Sequence, residues 1–300
     1  MKEQAPAVCP LPQEQVEAAP GISPGLETLL VFLHNPNGLI GLILFSVILA
    51  TTIFGPMVYF VDPFEISGLP FMPPDKYNCF GTDYLGRDIL AGILTGGRAT
   101  LAVGATAALI TVVIGLTIGS ISGFFGGAID VALMKVTEFF QVLPTLLFAM
   151  VLVTLFGPKL TTITIAIGIV SWTGVARLTR AEFMRIRGLE YVKSVAAAGG
   201  KTVYIIVRTI LPNAMPPIIV AAAFAVGSAI LFEGGLSFLG LGDPNRMSWG
   251  MMIGQNRSYV LEAWWAVLIP GTAIFLAVLS ICLIGDGIND ALNPKLRKRQ

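Results

Sequence analysis

Three hundred residues would suit one or two soluble domains by length, but 55% of them are hydrophobic, only 12% are charged, and the net charge is +1. That is about half the charged share of a globular chain, and with a mean hydropathy of +0.80 it excludes an ordinary soluble enzyme; no nucleic-acid partner is expected. Apolar runs near or above the ~20 residues needed to cross hydrocarbon, without the ~10-residue alternating segments of a membrane barrel, predict an all-α polytopic protein embedded in a lipid bilayer.

Residues 1–25 set Lys2 against Glu3, Glu14 and Glu17 and are punctuated by Pro6, Pro10, Pro12, Pro20 and Pro24. They read as a disordered acidic leader rather than as a signal peptide. "LETLLVFLH" is too short to span, so 26–37 is expected to be an interfacial helix ended by Asn35-Pro36. A first span follows over about 38–61. An outer polar segment, 62–98, carries Asp62, Glu65, Asp75, Lys76, Asp83, Arg87, Asp88 and Arg98. Further spans are expected at about 99–122, 131–156, 161–178, 213–233 and 264–285. The Gly-rich turn 123–130, the Gly-Pro hairpin "FGPKL", a basic stretch and an outer loop at 234–263 separate them.

Six crossings place both termini on one side. Lys and Arg near span ends mark the cytoplasmic face. Segment 177–208 carries Arg177, Arg180, Arg185, Arg187, Lys193, Lys201 and Arg208 against Glu182 and Glu190, and the tail adds Lys295, Arg297, Lys298 and Arg299. Both are therefore read as cytoplasmic. Cys9, Cys79 and Cys282 are odd in number and lack C-x-x-C spacing, so neither a disulfide framework nor a metal site is expected. The lone His34 has no partner of its own kind.

"AAAGGKT" at 196–202 ends like a phosphate-binding loop, but Val195 stands where the first glycine of that motif is required and no strand precedes it. No ATP is expected here. Leu189, Val192, Ala196 and Gly199 instead fall at helical spacing, and "TVYIIVRTILPN" continues as a second helical stretch. This helix–Gly–helix bracket reads equally as a small surface offered to another protein and as an amphipathic connector.

The segment "EYVKSVAAAGGKTVYIIVRTILP" resembles the cytoplasmic EAA loop of permease subunits of ABC importers, in particular the dipeptide/oligopeptide/nickel transport family. Gly199, Leu211 and Pro212 match the loop's Gly and Leu-Pro, and Glu190 matches its usual "EYV" opening. Lys193, Ser194 and Val195 stand in place of the E-A-A letters, and Thr209 in place of the Ile. "FGTDYLGRDILAGILTGGRATLAVG", "GFFGGAIDVALMKVTEFFQVLPTLLFAMVLV", "GLSFLGLG" with "SWG", and "WWAVLIPGTAIFLAVLSICLIGDGINDALNPKLR" resemble further blocks of that family, in order, over about 26–298.

That resemblance implies a permease domain over 38–298 in a bacterial or archaeal inner membrane, not itself an enzyme. It implies partnership with a homologous second permease subunit, two ATPase subunits that bind ATP and Mg, and an extracytoplasmic binding protein. Cargo would be a short peptide, or alternatively nickel, a metal chelate, an opine or an oligosaccharide. The coupling loop would lie within 188–208, with Glu190, Tyr191, Ser194, Val195, Ala197, Ala198, Gly199, Leu211 and Pro212 meeting the ATPase.

Ionisable groups at membrane depth are functional candidates because burying them in lipid is costly. Glu138 and Gln141 share a helical face with Lys135, although Lys135 and Glu138 are first expected to pair with each other. Glu233 is a pathway candidate or else a partner for the 234–263 loop. Asp83, Arg87 and Asp88 would face the binding protein by resemblance, or be a solvated loop cluster. A secondary transporter would need an internal repeat, which is not seen, and an intramembrane hydrolase would need motifs such as H-E-x-x-H, which do not occur.

Overall fold

A computed structural model describes residues 24–292. The leader up to residue 23 and the tail's Lys295, Arg297, Lys298 and Arg299 lie outside the described residues. Helices dominate: α1 (Pro24–His34), α2 (Pro36–Val58), α3 (Ile89–Phe125), α4 (Gly127–Val142), α5 (Thr145–Phe156), α6 (Leu160–Arg187), α7 (Glu190–Ala197), α8 (Thr202–Tyr204), α9 (Leu211–Leu236), α10 (Trp249–Asn256) and α11 (Trp265–Leu292). Among the described residues the only strand-like pairings are two isolated bridges, Ile66 with Arg87 and Thr82 with Asp88.

Five helical runs are long and apolar enough to cross a membrane, and six if α4 and α5, bent by 83°, count as one. The bend is where a continuous span over 131–156 was expected. Pro144 has no N–H to continue the ladder, and its ring pushes Leu143 out of the helical region to φ −72°, ψ 128°.

Three other elements outrun their sequence-based bounds, α11 by continuing to Leu292 past the expected 285. α3 holds 37 residues, about 55 Å at the helical rise, so it extends well past the hydrocarbon. It starts ten residues before the expected 99 because Arg98 does not end the helix. The Arg98 guanidinium is tied back to α2: Nε donates to the Thr52 carbonyl at 2.8 Å and Nη2 to that of Ile53 at 2.5 Å. α6 likewise continues to Arg187 rather than stopping at 178, carrying its arginines on an extended stalk.

α3 and α6 form the central seam, and glycine makes it possible. Gly115, Gly119 and Gly123 recur every four residues on α3, one row on the helix surface. A Cβ there would meet Val175 Cβ at 2.6 Å, the Ala176 carbonyl at 2.4 Å and the Arg180 carbonyl at 2.7 Å. Backbones this close gain packing that lipid cannot supply in the usual hydrophobic way.

Three apolar cores hold the bundle together. One, at the end opposite the arginines, gathers Trp249, Met252 and Trp265 around Ile89 and Ile230. A second, beside it, joins α3, α5, α6 and α9 through Val103, Val153, Ile167 and Leu236. The third, at the basic end, packs Phe183 and Ile186 of α6 with Val192 of α7 and Ile205, Ile210 and Ile218.

Candidate functional site

The basic end carries a compact knuckle. α6 ends at Arg187, and α7 begins after Leu189, whose carbonyl accepts the Val192 and Lys193 N–H groups at 3.1 and 3.2 Å. α7 is closed by a Schellman turn. Gly199 takes φ +85°, its N–H reaches the Ala196 carbonyl, and the Gly200 N–H reaches that of Val195, each at 3.0 Å. The "GGK" that ends like a phosphate loop is thus a helix stop, its glycines chosen for a left-handed residue rather than for cradling an anion.

Only one side of α7 is anchored. Val192 is buried, Val195 packs partly against the same core, and Leu211 joins them. Tyr191, Ser194, Ala197 and Ala198 stay exposed, with Glu190 and Lys193 paired across the outer surface at 2.8 Å. The coupling candidates therefore divide. Tyr191, Ser194, Ala197 and Ala198 form an open face of small side chains around one aromatic ring, while Val195 and Leu211 hold that face to the bundle.

Beyond Lys201 the chain enters α8 and then a π-turn, Ile205–Ile210, in which the Leu211 N–H reaches back to the Ile206 carbonyl. Pro212, exposed at the start of α9, has no N–H to give, and the wider turn leads the chain past it.

A polar clamp ties this end together. Arg180 on α6 grips Asp130 on α4 with two bonds, Nε to Oδ1 at 2.5 Å and Nη2 to Oδ2 at 2.6 Å. The Ser122 hydroxyl donates to the same carboxylate, and Arg187 donates to the Phe124 carbonyl. The stalk that carries α7 is so fastened to the α3–α4 turn, where Gly126 and Gly127 take φ +67° and +56°. Sequence reading missed this clamp, since Asp130 and Arg180 lie fifty residues apart.

Of the depth candidates, Glu138 and Gln141 are exposed on α4. The expected Lys135–Glu138 pair does not form; the ion pairs among the described residues are Arg180–Asp130, Arg185–Glu182 and Lys193–Glu190.

Glu233 is fully buried near the end of α9. Its Oε1 accepts the Ser237 hydroxyl at 2.9 Å and the Ser248 hydroxyl at 2.8 Å. Ser248 in turn caps α10 by accepting the Met251 N–H at 3.0 Å. Glu233 is thereby the partner of the 234–263 segment. That segment is not a plain loop: it contains a π-turn at Ser237–Leu241, α10, and a 3-10 turn at Arg257–Tyr259.

Of the cluster expected to face a binding protein or solvent, the two carboxylates are buried. Asp83 is buried, and its Oδ1 accepts the Leu85 and Arg87 N–H groups, each at 2.8 Å. Burial pushes its carboxyl above the usual range, with those bonds and Arg87 pulling the other way. Asp88 caps α3 through the Ala91 N–H at 3.1 Å and accepts the Tyr59 hydroxyl at 2.6 Å. Burial, then that bond to Asp88, pushes the Tyr59 phenol up to about 12. Arg87 is half-buried with its guanidinium 5.3 Å from the centre of the Phe64 ring. Asp83 and Asp88 are pinned into the fold because a short polar segment must satisfy its own backbone, whereas Arg87 Nε and Nη1 are buried without a hydrogen-bond partner.

Comparison with known proteins gives this geometry a context. Residues 115–298 match the family described as binding-protein-dependent transport system inner membrane component. The chain is 38% identical over 274 residues to the di/tripeptide transport system permease protein DppC of Pseudomonas aeruginosa (strain UCBPP-PA14), covering 89% of this chain and 90% of that one. It is 36% identical over 274 residues to the oligopeptide transport system permease protein OppC of Bacillus subtilis (strain 168), covering 91% and 90%. A crystal structure of an amino acid ABC transporter with histidines superposes with a TM-score of 0.52 at 18% identity, over 66% of this chain and 93% of that one, which bears on the fold alone.

Proposed function

The chain belongs to the family of binding-protein-dependent transport inner-membrane components, and from that premise we propose that it forms one half of the pathway through which an ATP-driven importer carries short peptides. The second half is a homologous permease subunit. An extracytoplasmic binding protein delivers the cargo, and two ATPase subunits bind ATP and Mg and supply the work. The basic end is cytoplasmic, with both termini on that side.

The observation that carries this reading is the knuckle at the basic end. The core at that end anchors α7 through Val192, while the exposed face of Tyr191, Ser194, Ala197 and Ala198 is small enough for close docking. A partner that moves α7 moves α6 and α9 with it, because all three share one core and the Asp130–Arg180 clamp secures the stalk. The chain thus transmits motion, and hydrolysis belongs to its partners. The peptide cargo of the relatives with similar sequences supports peptide over metal chelate.

Co-purification from the native membrane, followed by ATPase assays with binding protein and candidate di- and tripeptides, tests the reading. ATPase subunits are expected to co-purify, and their turnover to rise with loaded binding protein. Uptake that persists without ATP, with no ATPase subunit attached, overturns it.

A further inference from the structure

At the end opposite the knuckle, α3, the start of α6 and the segment before α10 border an open cavity of about 410 Å³, lined in part by Phe64, Thr95, Arg98, Leu160, Asn245 and Arg246. Cavities of this size suit small ligands. Two guanidinium groups line it, and among its lining residues there is no carboxylate.

The nearest acid in sequence, Asp243, is committed elsewhere. Its Oδ2 accepts the Leu160 N–H and its Oδ1 the Asn245 N–H, each at 2.9 Å. Arg98 commits Nε and Nη2 to the carbonyls of Thr52 and Ile53, which fixes the guanidinium and leaves Nη1 free of those bonds. Arg246 has no ion pair among the described residues. One cation is therefore held rigid by the fold and a second stands in a loop beside it. Two like charges around one cavity favour an anion between them, and a guanidinium fork matches the two oxygens of a carboxylate.

We infer that this cavity is a transit site for the C-terminal carboxylate of a short peptide, held between Arg98 and Arg246 as cargo leaves the binding protein. The assignment rests on the peptide-import reading. Phe64 and Leu160 give the terminal side chain an apolar wall, and Asn245 and Thr95 supply polar contacts at the rim. A lipid phosphate offers the same anionic chemistry, so the test separates the two sources.

The complete importer, with ATPases and binding protein, is reconstituted in liposomes. Uptake of Ala-Phe is compared with uptake of its C-terminal amide, for wild type and Arg246→Gln. Discrimination by the binding protein is common to both forms of the permease and cancels in the ratio of ratios. Arg246→Gln is expected to lower kcat/KM for the free acid about tenfold and for the amide less than about twofold, the loss expected of one charge-assisted contact. Asn245→Asp, which sets a carboxylate beside the guanidiniums, is expected to reproduce that selective loss with an unchanged melting temperature.

Equal losses for acid and amide, or full free-acid uptake by Asn245→Asp, overturn the site. An Arg246→Gln defect confined to phosphatidylglycerol vesicles and absent from phosphatidylcholine assigns the cavity to a lipid headgroup and overturns it as well. A wild-type importer that takes up neither peptide sinks the import reading itself, a result distinguishable from all of these.

Discussion

Arg98 donates its Nε–H at 2.8 Å to the carbonyl of Thr52, the carbonyl that Pro56 leaves without a helical partner. In an uninterrupted helix the N–H of residue 56 would serve residue 52, and proline has none. A charged side chain from α3 thus completes the backbone of α2 where proline leaves it open. Gly97 allows the approach, since a Cβ there would sit 2.1 Å from Thr52 Cγ2.

The bond makes Arg98 and Pro56 energetically coupled. Arg98→Gln is expected to cost about 1–3 kcal/mol, the range for a lost hydrogen bond to a charged group that leaves a buried acceptor. Pro56→Ala restores an N–H to Thr52, so Arg98→Gln should cost less in that background. Thermal unfolding of the four forms in detergent measures the coupling, and additive losses would show the bond to be incidental.

Glycine tolerance should follow the geometry of each position. Gly119→Ala would place a Cβ 2.4 Å from the Ala176 carbonyl, and backbone on both sides of the α3–α6 seam leaves nowhere to move. A loss of about 1–3 kcal/mol is expected from such overpacking. Gly199→Ala meets no atom within 4 Å but would hold φ +85°, a strain of about 1–2 kcal/mol confined to the end of α7. Gly174→Ala meets neither obstacle and is expected to be neutral or slightly stabilising, as Ala replaces Gly inside a helix. Melting temperatures of the three variants rank the seam, the turn and the control.

These positions also show what could be read from the sequence. The membrane helices, the Gly row on α3 and the glycine stop after α7 all follow from local pattern, because hydropathy and left-handed turns are written in neighbouring residues. The extent of α3 was not legible. Charge counting assigned Arg98 to a polar segment, and only the Thr52 carbonyl orphaned by Pro56, forty-odd residues away, explains an arginine at that place in the helix. Asp88 was readable as an N-cap before "ILAGIL", but the family resemblance pointed to a binding-protein face and its charged neighbours to a solvated cluster. Neither the Asp130–Arg180 clamp nor the Ser248 partner of Glu233 leaves a local signature, since each pair meets only once the chain has folded.

Replacing Arg180 by Lys tests the clamp. Lysine keeps the charge but cannot make the two parallel bonds that Asp130 receives at 2.5 and 2.6 Å. Because both partners keep some solvent contact, the stability loss is expected to be modest, about 1 kcal/mol. The larger effect falls on transmission: ATP hydrolysed per peptide imported should rise, as α7 moves with less of the bundle behind it. An unchanged ratio with a lowered melting temperature would mean that the pair only stabilises the fold.

Glu233 offers the sharpest choice between structure and pathway. Both serine hydroxyls converge on Oε1, while Oε2 has no hydrogen-bond partner and lies against Gly250, where a Cβ would come within 2.8 Å. If the side chain serves to hold α10 onto α9, the acceptor matters and the charge does not. Glu233→Gln keeps a carbonyl oxygen at the Oε1 position and should retain uptake within about twofold of wild type. Glu233→Ala strands two buried hydroxyls and opens a void, a loss of about 2–5 kcal/mol that should release α10 and abolish uptake. The discriminating result is Glu233→Gln with a wild-type melting temperature but no transport. That outcome would return the carboxylate to the translocation pathway, since only a group that meets cargo or a coupled cation needs its charge once its hydrogen bonds are satisfied.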